Sequence, residues 1–226
     1  MKLIKDIMNY EPALVKKIFD YIFISCSQDK ESKHKYIKAI PISGTNTICK
    51  EAFYMNNRLE MVIIDNSVES IERSAFFQCS KLTDIILPTS LKSLNNYAFG
   101  LCKEITTIVF PSYLDSIGKH AFCGCKKLKY IVFPVSLKYI DHYAFTYCLS
   151  LNEIVFPTSL EYIGSCAFSM CLELKNVFIP DLVEKIGYKG FIDCSNLQEA
   201  SIPKHLEKQI KDNYVFPEHT KIIVRQ

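Results

Sequence analysis

Ten cysteines and five histidines are the side chains here with the most chemistry to offer, and their spacing decides which chemistry is open to them. Six cysteines, Cys79, Cys102, Cys125, Cys148, Cys171 and Cys194, recur at an interval of 23 residues, each three residues after a phenylalanine. Disulfides would be expected of so many cysteines in a small secreted chain. Strands one repeat apart in a stacked sheet lie about 4.8 Å from each other, which is within bridging range. Side chains in parallel register, however, have the wrong Cβ directions for easy bridging. A buried free thiol behaves as a small hydrophobe, so the column reads as reduced core. Zinc would need four convergent ligands. His34, His120, His142, His205 and His219 are scattered, and although His120 and His142 fall near Cys123 and Cys166, no Cys-x-x-Cys pair exists. No metal and no cofactor are expected. A Gly-rich phosphate loop, a nucleophile elbow and paired catalytic carboxylates are all missing from the sequence, so it does not read as an enzyme.

The interval belongs to more than cysteine. Ala-Phe stands at 52–53, 75–76, 98–99, 121–122, 144–145 and 167–168, and Gly190-Phe191 continues the series. Proline keeps the same step at Pro88, Pro111, Pro134, Pro157, Pro180 and Pro203. A fixed period of this length marks a solenoid, in which each repeat stacks on the last and cannot bury its apolar face alone. Seven frames run from 36–58 to 174–196, with a partial copy from Leu197. The first frame is degenerate, with Asn56 in the cysteine column and Ile42 in the proline column.

Within a frame the pattern is Leu-x-x-Ile-x-Phe-Pro, as from Leu128 to Pro134. Its alternation predicts a strand with Ile131 and Phe133 inward and Val132 outward, ended by the proline. Leu137-x-x-Ile140 predicts a second short strand on another side of the coil. The next position holds Gly118, Gly164 and Gly187, or Asn95 and Asp141, residues that accept a left-handed backbone. Glu72 departs from that rule, and its repeat is expected to turn differently. The segment through Ala-Phe-x-x-Cys reads as a tight turn or one turn of 3₁₀ helix.

Outside the repeats, Leu14, Val15, Ile18, Tyr21 and Ile22 fit an amphipathic helix, predicting an N-terminal helical cap over 1–35. Residues 36–206 form the solenoid in this reading, and 207–226 a C-terminal cap. No apolar run of signal-peptide length occurs in the first seventeen residues, and 21–24 is far too short to span a bilayer. The expected location is cytoplasmic or nuclear, which suits reduced thiols; surface display by an unconventional route is the alternative. Hydrophobic residues make up 49%, enough for a sizeable core. The net charge of +3, from 27 basic and 24 acidic residues, gives no reason to expect a nucleic-acid partner.

The unit Leu-x-x-Ile-x-Phe-Pro-x-x-Leu-x-x-Ile-Gly-x-x-Ala-Phe-x-x-Cys, over about residues 36 to 206, resembles the BspA-type leucine-rich repeat. The resemblance implies a right-handed leucine-rich repeat superhelix: a β-solenoid with a parallel sheet on one face and short turns or 3₁₀ segments between strands. It also implies a non-enzymatic role in binding other proteins, with adhesion to host or matrix proteins as a frequent form of it.

Solenoids bind partners through the outward residues of their sheet. Here one outward column is Ile63, Ile86, Val109, Val132, Val155 and Phe178, with Tyr130 in the column beside it. An apolar stripe across six repeats is the expected protein-binding site, although β-branched residues also favour strands for their own sake. A second candidate lies in Lys129-Tyr130-Ile131-Val132-Phe133, which is similar to the short motif that docks regulators onto type-one Ser/Thr protein phosphatase. Lys129, Ile131 and Phe133 would then add a strand to the partner. Both apolar side chains fall in core columns, so such docking would require local unfolding.

Overall fold

A computed structural model describes residues 39–226. The expected N-terminal helical cap lies outside the described residues. The chain winds into a parallel β-solenoid of about eight turns. Most turns contribute a longer strand, a two-residue strand and a compact bend.

The longer strands are Ala39–Ile42, Met61–Ile64, Asp84–Ile86, Thr107–Val109, Tyr130–Val132, Asn176–Phe178, Glu199–Pro203 and Lys221–Arg225. They pair in parallel one repeat apart, Met61 beside Asp84 and Thr107 beside Tyr130. Alternation sets the faces as expected: Ile131 is buried while Tyr130 and Val132 are exposed. The ladder is not continuous, however. It divides into sheets of three, two and three strands, and residues 151–157 form no strand although they carry the same pattern. The opening coincides with a second ring column, Phe110, Phe133 and Phe156, whose centroids are 5.9 and 5.8 Å apart. Ring spacing alone does not open the ladder, since Thr107–Val109 and Tyr130–Val132 stay paired beside the wider Phe110–Phe133 step.

The second short strand appears where Leu137-x-x-Ile140 predicts it. Seven two-residue strands, from Thr47–Ile48 to Lys185–Ile186, form one parallel sheet. Its inward residues are Ile48, Ile71, Leu94, Ile117, Ile140, Ile163 and Ile186, all buried.

The bend departs from expectation. Gly118, Gly164 and Gly187 are not left-handed; the positive φ falls two residues later, at Ser74, Tyr97, His120, Tyr143, Cys166 and Lys189. A second left-handed column follows at Gln78, Leu101, Gly124, Tyr147, Met170 and Asp193. The glycines serve close approach instead: a Cβ at Gly164 would stand 2.4 Å from the His142 nitrogen, and one at Gly187 2.4 Å from that of Ser165. Glu72 changes nothing, because Ser74 in its repeat turns as the others do, with φ 57°. The segment takes the tight-turn form, one of its two expected readings, and not that of a 3₁₀ helix. Ala144, Thr146 and Cys148 donate back to the carbonyls of Asp141, Tyr143 and Phe145, closing successive turns. Tyr143, Phe145 and Tyr147 donate instead to Ser165, Ala167 and Ser169 of the next repeat. With a left-handed residue at Tyr143 and again at Tyr147, each amide from Tyr143 to Cys148 finds a carbonyl, as buried backbone must.

The core lies between these three sides. Phe53, Phe76, Phe99, Phe122, Phe145, Phe168, Phe191 and Phe216 form one stack, neighbouring centroids 5.0–5.4 Å apart. Beside it the six column cysteines are fully buried and free. Each points its Sγ at a phenylalanine carbonyl, from Cys79 to Phe53 at 3.1 Å through Cys194 to Phe168 at 3.2 Å. After a 3₁₀ turn, Lys204–Leu206, the short helix α1, Glu207–Asp212, crosses the end of the two-residue sheet. There Gln209 Oε1 accepts the Ile186 N–H at 2.7 Å, and Asn213 Nδ2 donates to the Ile186 carbonyl at 3.0 Å. Two amide side chains thus stand in for a missing eighth strand.

Candidate interaction face

Strand alternation brings most of the expected stripe onto one surface. Ile63 lies beside Ile86, and Val109 beside Val132, as direct strand neighbours. The first two are half-buried; Val109, Val132, Val155 and Phe178 are 42, 51, 70 and 54% exposed, and Tyr130 is 53% exposed. Val155 joins the column without ladder bonds, because it sits where the sheet opens. That opening forms a shallow groove of about 590 Å³, lined among others by Tyr130, Glu153, Lys175, Asn176, Phe178 and Glu199. Phe178 at its C-terminal side is not bare. Arg225 stacks on the ring at 3.9 Å, and its guanidinium also reaches Asp181 and the Ile179 carbonyl, each at 2.6 Å. The stripe therefore runs from an apolar centre at Val132 and Val155 to an end covered by a held cation.

The phosphatase-docking residues are placed differently. Lys129 is exposed, but Ile131 is buried and Phe133 packs against the core. The Phe133 ring stacks between Phe110 and Phe156 and meets Phe145 edge-on at 5.8 Å. Presenting it to another protein would dismantle the centre of the solenoid.

The thiols and imidazoles do not converge. No cluster of three or more metal-ligating side chains occurs among the described residues. His142 Nδ1 accepts the Ser165 N–H at 2.8 Å. His120 lies between the rings of Tyr97 at 4.5 Å and Tyr143 at 4.7 Å, and burial there pushes its pKa down. Burial also raises the pKa of Cys102, Cys125, Cys148 and Cys171, leaving them protonated and poor nucleophiles.

Sequence reasoning passed over one surface feature. Tyr54 stacks on Phe77, Phe77 meets Tyr97 edge-on, and the stack continues through His120 to Tyr143 along the outside of the bends. The 23-residue step from Tyr97 to His120 to Tyr143 was the available signal. It was hidden because the bend was read only for its backbone.

Among solved structures, the chain is similar to a leucine-rich repeat protein of T. pallidum, at 34% identity over 65% of each chain with a TM-score of 0.49. It therefore spans 65% of the length of that protein. A leucine-rich repeat protein of Bacteroides ovatus matches at 22% identity, covering 91% of this chain and 67% of that one, with a TM-score of 0.45. The pneumococcal vaccine antigen PcpA matches at 19% identity over 84% and 80% of the two chains, again with a TM-score of 0.45. No curated protein matches. The family model for the BspA type leucine rich repeat region fits six copies over residues 46–154 and 115–223, and this chain belongs to that family.

Proposed function

We propose that this chain is a non-enzymatic protein-binding module whose partner docks on the outward face of the longer strands. The observation that carries this reading is the run of exposed Val109, Val132 and Val155 in one outward column, beside the open groove at Tyr130. A contiguous apolar strip of this kind costs solubility and is characteristic of an interaction surface. Docking to a type-one phosphatase through Lys129, Ile131 and Phe133 is the weaker reading, since two of the three side chains belong to the core. An adhesin would use the same strip against an extracellular protein. Binding inside the cytoplasm or nucleus is favoured here because free thiols fill the core column.

The test is affinity capture with wild type and the double variant Val132→Lys, Val155→Lys, read by mass spectrometry. Both side chains face solvent, so folding should change by less than about 0.5 kcal/mol. A lysine desolvated at the centre of an apolar contact should instead cost several kcal/mol of binding, about a hundredfold or more. Glu184→Lys is the control. Glu161 is unsuitable, because it holds Lys138 at 3.2 Å and the Tyr139 hydroxyl at 2.9 Å. A folded double variant that keeps the wild-type partner would remove the stripe as the site.

A further inference from the structure

We propose that two copies of this chain pair through the strand Lys221–Arg225, antiparallel about a two-fold axis at Ile223. The strand bonds to Glu199–Pro203 along one side, and no described residue pairs with its other side. Lys221 donates its N–H to the Gln198 carbonyl at 2.9 Å. Backbone groups alternate along a strand, so those of Lys221, Ile223 and Arg225 face inward while those of Ile222 and Val224 face the open side. Two donors and two acceptors are thus presented by the pair of residues whose side chains continue the core columns of Ala200 and Ile202. Ile222 and Val224 are 37 and 38% exposed, whereas Ala200 and Ile202 are fully buried. The apolar column is open where the backbone edge is open.

The occupant is set by the symmetry of the segment. Lys-Ile-Ile-Val-Arg presents the same residue class read in either direction. Placing a second copy antiparallel about Ile223 sets Ile222 opposite Val224 of the other copy, and Val224 opposite its Ile222. These are the residues whose amides and carbonyls face the edge, so both become hydrogen-bonded pairs and four bonds form across the axis. Ile223 meets itself as the non-bonded pair, as its inward-facing backbone requires. The core-facing side chains of both copies then lie on one side of a continuous sheet. A two-fold contact of this kind closes on itself and does not propagate into fibres.

The cost is Lys221 opposite Arg225, since like charges directly across a ladder destabilise it. Both cations already carry a partner: Lys221 is 3.5 Å from Glu199, and Arg225 is 2.6 Å from Asp181. The pairing therefore joins two neutralised ion pairs. The same two cations guard the edge against indiscriminate strand addition, as charged edge residues do elsewhere.

Sedimentation velocity of the full chain, under reductant and across a dilution series, tests this. Wild type should sediment at twice the monomer mass of 26.0 kDa and dissociate on dilution. Val224→Pro removes an outward N–H, a loss an edge strand tolerates, and should give a folded monomer that melts as the diluted, dissociated wild type does. Should that variant fail to fold, Ile222→Lys decides the question by placing a charge against the facing valine. Wild type that stays monomeric at every concentration, or two folded variants that remain dimeric, would overturn the proposal.

Discussion

Raising the pH should unfold this protein, and the buried thiols set how steeply. Cys102, Cys125, Cys148 and Cys171 are fully buried, and desolvation raises the pKa of each above its ordinary value. At neutral pH these thiols are protonated in both folded and unfolded chains, so they contribute no pH dependence there. Above about pH 8.5, the free cysteine value, the unfolded chain sheds protons that the folded chain retains. The unfolded state then binds fewer protons, and stability falls as pH rises. Each group contributes about 1.4 kcal/mol per pH unit until its folded pKa is reached, so four give about 5 kcal/mol per unit. Against a typical stability of about 5–15 kcal/mol, unfolding should set in roughly one to three units above that point. Urea midpoints measured from pH 7 to 11 under reductant would give the slope. Any other group that loses a proton in alkali adds to the slope, so the decisive comparison is with Cys125→Ala. Whatever that variant loses in packing at neutral pH, its alkaline slope should be shallower by about 1.4 kcal/mol per unit. Equal slopes would show that these thiols are not protonated core.

Further outcomes follow from the same architecture. Phe145 is fully buried between Phe122 at 5.4 Å and Phe168 at 5.3 Å, so Phe145→Ala should cost about 4 kcal/mol and lower Tm by about 12 °C. Phe216→Ala, whose ring stacks on Phe191 toward the C-terminal end, should lower Tm by less, because an end defect frays one terminus while a central one uncouples two halves; equal losses by calorimetry would count against stacked coupling. Tyr147→Gly should raise stability by about 0.5–1 kcal/mol in urea unfolding, since the residue sits at φ 61° with an exposed ring and glycine removes that strain at a smaller entropic cost. Thiol labelling of the native chain should leave the six column cysteines unmodified until denaturant is added, and reductant should not shift the melting curve.

What was legible in the sequence is what burial imposes on residue type. A position facing the core of a stacked array must be apolar in every repeat, so Phe76 to Phe191 and Cys79 to Cys194 show themselves as columns. Strand alternation then fixes that Val132 faces out while Ile131 faces in, and both short strands per turn follow from the same rule. Positions set by neighbouring repeats rather than by burial left a poorer trace. The left-handed residues could not be read, because their conformation is imposed by amides that must reach the next repeat. Those bonds hold Tyr97, His120 and Lys189 in the left-handed region as firmly as Gly124, in spite of the strain a side chain adds there. The glycines that can be read, Gly164 and Gly187, answer instead to the closeness of a neighbouring backbone. The groove between Tyr130 and Phe178 was equally hidden, since residues 151–157 match the strand pattern and yet form no strand. At the C-terminal end, Gln209 and Asn213 replace a strand's hydrogen bonds, which no period announces. Sequence determined which side chains turn inward, because that depends on each residue's own transfer from water. Only the tertiary structure decided where the ladder opens and which edge no described residue covers, because those depend on distances between turns that no single repeat contains.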